Sequence, residues 1–304
     1  MACNDIHRRY FQIAGITVCV ESELDFNKVK FCDALLRFAA AGPGEDNVTL
    51  RQHFGLPDLK GMDLGEELYR KIPWSVSRKG DRWFYLGIGS EQDTRDVERV
   101  CIFKAGHTEG DIYSPIRQAE VVCACDGGWH SLSLLPTDQL WIVPLLADRN
   151  AVLMHSAGVI LGGQGLLFVG HSDAGKSTAV AMLKGRAEIL CDDRNIVRWR
   201  HGGWRVHGTW SHGDVSEVSA SSAPLRAILF LKQGRRNDIE PLTDPRTIWK
   251  HLLGTLVKAA VTAEWRRKEI DTLDRLIRDV PCYTMQFDRS GRIVPALEKL
   301  VSDG

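Results

Sequence analysis

The feature that most constrains this chain is a glycine-rich run that starts at Gly170. It reads Gly-His-Ser-Asp-Ala-Gly-Lys-Ser-Thr and fits the phosphate-binding pattern G-x-x-x-x-G-K-[ST]. The apolar residues 166–169 before it predict a strand, and residues 179–184 after it predict a helix that Gly185 ends. In such a loop, backbone N–H groups face a phosphate chain, the lysine reaches the β- and γ-phosphates, and the next hydroxyl reaches Mg²⁺. The order of strand, loop and helix therefore predicts a triphosphate site.

The whole loop is predicted to bind the nucleotide, and Lys176 is also predicted to be catalytic. Asp173 lies inside the loop and brings a negative charge close to phosphate, so we expect its carboxylate to point outward or to accept a loop N–H. No catalytic role is assigned to it. The predicted nucleotide-binding residues are Gly170, His171, Ser172, Asp173, Ala174, Gly175, Lys176, Ser177 and Thr178.

Two carboxylates follow the next apolar segment. Residues 187–191 predict a short strand that ends at Asp192, Asp193 and Arg194. Mg²⁺ prefers one or two carboxylates together with phosphate oxygens and water. Adjacent strand residues point to opposite faces, so one carboxylate can meet a metal while the other faces an acceptor hydroxyl. The alternative is a solvated Asp-Asp turn.

A predicted β-hairpin lies immediately before the loop. Residues 153–161 and 166–169 are apolar, and the glycine-rich residues 162–165 between them predict a turn. His155 lies in the first of these strands. A single histidine in an apolar strand is more often a core residue than a site residue, and the hairpin by itself favours that interpretation.

Taken together, His155, the hairpin, the phosphate loop and the 192–194 segment resemble the catalytic domain of HPr kinase/phosphorylase, a bacterial serine kinase of sugar-transport regulation, and its kinase-like relatives. The resemblance covers about residues 150–235. It implies ATP and Mg²⁺ as cofactors, Asp192 as the base, and Ser177 and Asp193 as metal ligands. It places His155 near the transferred phosphate, as a third catalytic residue beside Asp192 and Lys176. It also implies an α/β (α+β) fold, with a P-loop domain of the phosphoenolpyruvate-carboxykinase type on a mixed sheet.

The chain also departs from this family. Thr178 stands where the family usually has Glu, which leaves one acidic group fewer near the metal. The family's Glu-x-Arg-Gly-x-Gly signature has only a loose counterpart at residues 205–210, so neither HPr as the acceptor nor a phosphorylase reaction is implied. The predicted acceptor contacts in and after this stretch are His207, Gly208, Thr209 and His212; the alternative is a hairpin end with an ordinary polar loop.

Composition limits the choice of partners. Lys plus Arg and Asp plus Glu number 39 each in 304 residues, so no overall basic field attracts nucleic acid or an anionic membrane. The sequence has no long apolar segment and no charged-then-apolar start, which predicts a cytoplasmic protein with reduced cysteines. Cys123 and Cys125 alternate as in a strand and are expected to be structural.

The sequence predicts two domains, 1–130 and 131–304. The first is expected to be smaller, mostly β, and to contact an acceptor or partner; it has predicted strands at 10–20 and 83–88 and a short helix at 31–39. Its aromatic run 83–85 is expected to pack in the core rather than bind a partner. Thr137 is expected to cap a helix that runs to residue 146.

The second predicted domain carries the kinase motifs. Beyond them, the sequence predicts a hairpin at 195–200 and 204–207, a buried strand at 226–231 and a strand at 283–287, together with helices at 247–257, 261–278 and 294–301.

Three functions remain open from the sequence. The leading hypothesis is an ATP- and Mg²⁺-dependent kinase that phosphorylates a hydroxyl, foremost serine, of a protein or peptide. The second is a small-molecule kinase for free serine, a sugar or another alcohol, because the motifs describe the donor and not the acceptor. The third is a nucleotide-sensing regulator that transfers nothing. The family resemblance also implies self-association into a homo-oligomer.

Overall fold

The computed structural model describes residues 5–89, 97–115, 130–133, 138–171 and 173–303. The chain divides into two compact units: Met1–Leu145 with Ala259–Ala263, and Leu146–Lys258 with Glu264–Gly304. The two units have similar lengths, whereas the sequence predicted a smaller first domain and placed the boundary near residue 130. Four residues named above, Cys123, Cys125, Thr137 and Ser172, lie outside the described residues.

The first unit is built on a nine-stranded sheet. In chain order its strands are β1 (His7–Ile13), β2 (Ile16–Ser22), β3 (Ala39–Ala40), β4 (Asn47–Phe54), β5 (Glu66–Lys71), β6 (Trp74–Lys79), β7 (Arg82–Ile88), β8 (Val97–Lys104) and β9 (Glu109–Ser114). They pair in the order β3-β1-β2-β4-β9-β8-β7-β6-β5. The β2–β4 and β4–β9 pairs are parallel, and the other pairs are antiparallel. This unit is mostly β, as expected.

Two local predictions in this unit are wrong in extent. Residues 10–20 do not form one strand, because Ala14 and Gly15 adopt φ angles of 51° and 75° and turn the chain into the β1–β2 hairpin. Two successive positive φ angles match the right-handed twist of a hairpin. The helix predicted at 31–39 is the single turn α1 (Asp33–Leu36). The aromatic run 83–85 is buried in β7, in agreement with its predicted packing role.

The second unit is built on a mixed sheet. Its strands are β10 (Ala151–Leu161), β11 (Gln164–Val169), β12 (Glu188–Cys191), β13 (Arg194–Arg200), β14 (Gly203–His207), β15 (Ser222–Gln233), β16 (Asp238–Pro241) and β17 (Cys282–Phe287). The order is β11-β10-β13-β14-β15-β17-β16, with β12 also paired to β10 and β11 also paired to β15. The β11–β15 and β15–β17 pairs are parallel. Strand β16 is the one strand here that the sequence did not predict.

Helices cover both faces of this second sheet. These helices are α3 (Lys176–Met182), α4 (Pro245–Thr255), α5 (Ala263–Asp279) and α6 (Val294–Ser302). The helix before them in the chain, α2 (Gln139–Ala147), contains the division between the two units. Leu166 and Phe168 of β11 pack into a cluster with α3 and α6, whereas Leu167 and Val169 pack into a cluster with α4 and α5. Burial on both faces explains the continuous apolar runs of β11 and β15. Within the described residues, no helix is long and apolar enough to cross a membrane.

Candidate active site

The predicted phosphate loop connects β11 to α3, as the sequence indicates. Its two glycines are required by contacts: a Cβ on Gly170 would lie 2.5 Å from the Cβ of Ala174, and a Cβ on Gly175 would lie 2.9 Å from the ring of Phe287. Gly175 also has a φ of +95°, which residues other than glycine rarely adopt. The loop therefore holds its shape through close packing on β17 and within itself.

Lys176 begins α3 and turns back into the loop. Its side chain is 8% exposed, and Nζ donates to the carbonyls of Gly170 at 3.0 Å and His171 at 3.2 Å. Burial lowers the pKa of Lys176, and the charges of Asp193, Asp192 and Asp173 act in the opposite direction. The ammonium group is thus bonded to carbonyls of the loop and is influenced by the charges of three carboxylates.

Asp192 and Asp193 form a bend between β12 and β13, and they bond to different partners. Asp192 is 3% exposed and accepts the backbone N–H groups of Gly213 at 2.6 Å and Val215 at 2.9 Å. Asp193 accepts from Ser211 Oγ at 2.6 Å and lies 2.8 Å from Arg194 Nη1. Asp192 is therefore oriented by a loop and Asp193 by charged and polar side chains.

Asp193 also bonds to His155. Strand β10 pairs His155 with Arg194, which brings His155 Nδ1 to 3.1 Å from Asp193 Oδ1. Burial alone would raise the pKa of Asp193, but the hydrogen bonds from His155 and Ser211 and the charge of Arg194 lower it to about 2. Asp193 is ionised at neutral pH, and a carboxylate only accepts, so Nδ1 of His155 carries the hydrogen. Nε2 is left as the atom that can meet a ligand.

Two buried side chains hold the Asp192–Asp193 bend. The sulfur of Cys191 accepts the N–H groups of Asp193 at 3.3 Å and Arg194 at 3.1 Å. Asn195 is fully buried, and its Nδ2 donates to Ser156 O at 2.8 Å and Cys191 O at 3.3 Å. These bonds tie the bend to β10, the strand that carries His155.

His155, Lys176, Asp192 and Asp193 meet in one cleft of about 420 Å³ within the second unit. Eight of the lining residues were predicted from the sequence: His155, Asp173, Gly175, Lys176, Ser177, Thr178, Asp192 and Asp193. The sequence did not assign the other four, Gly213, Asp214, Gln233 and Arg289. Gly213 and Asp214 lie in a loop that the sequence marks as rich in polar groups. Gln233 and Arg289 carry no local signal, because Gln233 is simply the last residue of β15 and Arg289 lies just after β17.

The predicted acceptor residues are not part of this cleft's lining. His207 is 7% exposed, and burial together with the charges of Arg205, Arg198 and Arg200 lowers its pKa to about 3. Thr209 is buried and its Oγ1 donates to Arg194 O at 2.6 Å, and a Cβ on Gly208 would lie 2.3 Å from Ser219 O. His212 is exposed. Residues 207–209 therefore make packing contacts. The residues of the following loop that line the cleft are Gly213 and Asp214.

The comparisons with known proteins give a family match and a weak likeness to a solved structure. No curated protein sequence matches the chain. A solved structure described as "Structure of the Hpr(Ser) kinase/phosphatase from Coxiella burnetii" aligns over 50% of this chain and 88% of that chain, with 14% identity and a TM-score of 0.28. At this TM-score the likeness supports no inference about function.

The family comparison covers more of the chain. The family described as "ScmC: SynChlorMet cassette protein ScmC" matches residues 132–302, which include every residue of the cleft. Because the match spans more than half of the chain, the protein belongs to the ScmC family.

Proposed function

We propose that this protein is an ATP- and Mg²⁺-dependent kinase with a P-loop catalytic domain of the phosphoenolpyruvate-carboxykinase type. It transfers the γ-phosphoryl group to a hydroxyl, foremost a serine, of a protein or peptide. One observation carries the proposal: Lys176 and Ser177 line the same cleft as His155 and the carboxylates of Asp192 and Asp193, although these residues come from three separate segments. A phosphate loop, a lysine and two carboxylates are the groups that phosphoryl transfer needs.

The loop would bind the phosphoryl donor. Its amides and Lys176 would neutralise the phosphate chain, and Ser177 and Asp193 would hold Mg²⁺. Asp193 fits this role because its pKa of about 2 keeps it ionised at neutral pH. Mg²⁺ needs only one or two protein ligands when phosphate oxygens and waters complete its shell. The bound ion would supply charge neutralisation for the transferring group.

Asp192 would act on the hydroxyl group of the phosphoryl acceptor. Backbone N–H groups of the 213–215 loop bond one to each of its oxygens and so set its orientation. Each carboxylate oxygen has two acceptor positions, so Asp192 can still receive the proton of an acceptor hydroxyl. His155 Nε2, oriented through the bond of Nδ1 to Asp193, would contact the transferring phosphoryl group. Catalysis would come from positioning and charge, as expected for phosphoryl transfer.

One observation favours a second candidate, a nucleotide-sensing regulator. Both oxygens of Asp192 are bonded to backbone N–H groups, an arrangement that also suits a purely structural carboxylate. In that case the 213–215 loop would report nucleotide binding to a partner, and no phosphoryl group would move.

A labelling experiment separates these candidates. The wild type and Lys176→Ala are incubated with γ-labelled ATP, Mg²⁺ and a cell extract divided into protein, peptide and small-molecule fractions. Lys184→Ala is the matched control, because Lys184 is an exposed lysine of the same region that pairs with Glu217. We expect label in the protein or peptide fraction, lost in Lys176→Ala and kept in Lys184→Ala. Label in small molecules alone would indicate a small-molecule kinase, and ATP binding without label would indicate the sensor.

A further inference from the structure

Three loops meet at the edge of the sheet where the phosphate loop lies. Strands β11, β15 and β17 are parallel neighbours, so their carboxyl ends share that edge. The phosphate loop follows β11, residues 234–237 follow β15, and residues 288–293 follow β17. The second and third loops bring four arginines to the edge: Arg235, Arg236, Arg289 and Arg292.

Hydrogen bonds join these loops into one surface. Gln233 Nε2 donates to the carbonyl of Asp173 in the phosphate loop at 2.5 Å. Gly234 N donates to Phe287 O at 3.3 Å, and Asp288 N donates to Asn237 Oδ1 at 3.3 Å. The loops after β15 and β17 are thus bonded to each other, and the end of β15 is bonded to the phosphate loop.

The cleft has two chemically different ends. On the β10 and β12 side of the phosphate loop lie His155, Asp192 and Asp193, and on the β15 and β17 side lie Gln233 and Arg289. Carboxylates that hold Mg²⁺ and accept a proton must be beside the reacting phosphate. A triphosphate bound along the loop with its γ-phosphate at the carboxylate end therefore directs its nucleoside toward Gln233 and Arg289.

Arg289 is available for a ligand at that end. Its side chain is exposed, lines the cleft, and forms no ion pair or hydrogen bond within the part of the chain that the structure describes. Its neighbour Asp288 is already paired with Arg292 at 2.7 Å. A guanidinium group is planar and weakly hydrated, and it stacks on aromatic rings.

We propose that the β15–β17 end of the cleft binds the nucleoside half of a nucleoside triphosphate, with the guanidinium of Arg289 stacked on the base. This inference rests on the proposed nucleotide site and adds the residue that contacts the part of the ligand beyond the phosphates. An anionic acceptor is a poorer occupant of this end, because its hydroxyl has to reach the γ-phosphate at the opposite end, beside Asp192.

Calorimetric titration with two ligands tests the proposal. Mg²⁺-ATP and Mg²⁺-tripolyphosphate share the phosphate chain, but only ATP carries a nucleoside. Arg289→Ala should weaken ATP binding about tenfold and leave tripolyphosphate binding unchanged. Arg289→Lys should also weaken ATP binding, because lysine keeps the charge but not the planar group. Arg278→Ala, an exposed arginine on α5 paired with Asp274, is the control and should bind both ligands like the wild type.

The outcomes are separable. Equal losses for both ligands in Arg289→Ala, full ATP binding by Arg289→Lys, or unchanged ATP binding by Arg289→Ala would each overturn the inference while leaving the nucleotide site in place. Wild-type protein that binds neither ligand would overturn the proposed function together with the inference. Thermal unfolding of each variant is expected to match the wild type, because Arg289 is exposed and forms no hydrogen bond or ion pair with the described residues, and it confirms that the fold is retained.

Discussion

Each unit of the molecule buries an aspartate, and the two aspartates have different surroundings. Asp138 in the first unit accepts from the backbone N–H groups of Leu132 and Ser133, the hydroxyls of Ser131 and Ser133, and the indole N–H of Trp141. All of these donors come from its own segment of chain. A carboxylate surrounded in this way stabilises local structure and has little capacity left for a ligand.

Asp192 in the second unit is just as buried but far less saturated. It accepts two backbone N–H groups from a distant loop and lines a cleft beside Lys176 and Ser177. Burial of a polar carboxyl group is costly unless it is hydrogen-bonded, so a compensating reason is needed in each case. For Asp138 the reason is five hydrogen bonds from its own segment of chain, and for Asp192 we infer a chemical role.

The largest expected effect tests this difference directly. Asp192→Asn cannot accept a proton, and its NH₂ group leaves one of the Gly213 and Val215 N–H groups without an acceptor. We expect phosphoryl transfer per folded molecule to fall about 10²–10⁴-fold while ATP binding persists. Asp138→Asn should leave transfer per folded molecule unchanged and reduce the free energy of unfolding by about 1–3 kcal/mol, because it leaves buried donors unpaired. Labelled-ATP assays and urea unfolding measure the two effects. Equal loss of activity in both variants would remove the distinction.

The next expected effect concerns the metal. Asp193→Asn removes the ionised carboxylate assigned to Mg²⁺, so the Mg²⁺ concentration for half-maximal transfer should rise about 10–100-fold. Asp214→Asn, in the same cleft but with no assigned role, is the control and should keep the wild-type Mg²⁺ dependence. Titrating the transfer rate with Mg²⁺ gives both values. A normal Mg²⁺ requirement in Asp193→Asn would leave Asp193 only the task of orienting His155.

A smaller effect is expected from packing behind the bend. A Cβ on Gly158 would lie 2.5 Å from Asn195 Oδ1, so Gly158→Ala must displace the side chain that ties the 192–193 bend to β10. We expect about a tenfold loss of transfer, since small displacements of reacting groups are costly. Gly203→Ala is the matched control, because nothing lies within 4 Å of its Cβ. Wild-type activity in Gly158→Ala would show that the bend does not depend on Asn195.

The smallest effects concern the pH dependence of stability. Burial lowers the pKa of His207 from 6.5 to about 3 and raises the pKa of Glu269 from 4.5 to about 7. Between pH 6.5 and 3 the unfolded chain holds a proton on His207 that the folded chain lacks, so this group destabilises the fold as the pH falls. Between pH 4.5 and 7 the folded chain keeps a proton on Glu269 that the unfolded chain loses, so this group destabilises the fold as the pH rises.

Two variants separate these opposing contributions. Relative to the wild type, His207→Leu should gain more stability at pH 5 than at pH 7, and Glu269→Gln should gain more at pH 7 than at pH 5. Urea unfolding midpoints at the two pH values measure both differences. A constant offset at both pH values for either variant would contradict the assigned pKa direction of that residue.

Local signals predicted most elements of the second unit. Continuous apolar runs and glycine turns predicted the β10–β11 and β13–β14 hairpins, β15, β17 and the helices that follow, and the structure confirms them. In the first unit the same kind of evidence failed at residues 10–20, because the turn at Ala14 and Gly15 consists of small residues inside an apolar run. A two-residue turn of this kind hardly changes the local amino-acid composition, so the apolar run reads as one strand.

The sequence predicted the site residues that lie in short motifs, and it missed those whose position depends on strand pairing. Asp192 and the phosphate loop were singled out from short motifs, and the structure places them in one cleft. Arg289 was not, since its position beside the loop follows from the parallel β11–β15–β17 arrangement. His207 was assigned to the acceptor by its neighbourhood in sequence, whereas packing around β14 buries it.

The sequence alone therefore determined the types of chemical group available: a glycine-rich loop with its lysine, a carboxylate pair, and a histidine on an adjacent strand. These follow from short-range sterics and residue chemistry, which act within a few positions of the chain. Only the tertiary structure decided that Asp193 bonds to His155, that Asp192 holds the 213–215 loop, and that Arg289 lines the opposite end of the cleft. Such contacts join segments far apart in sequence, and strand pairing and core packing, which no local pattern encodes, bring them together.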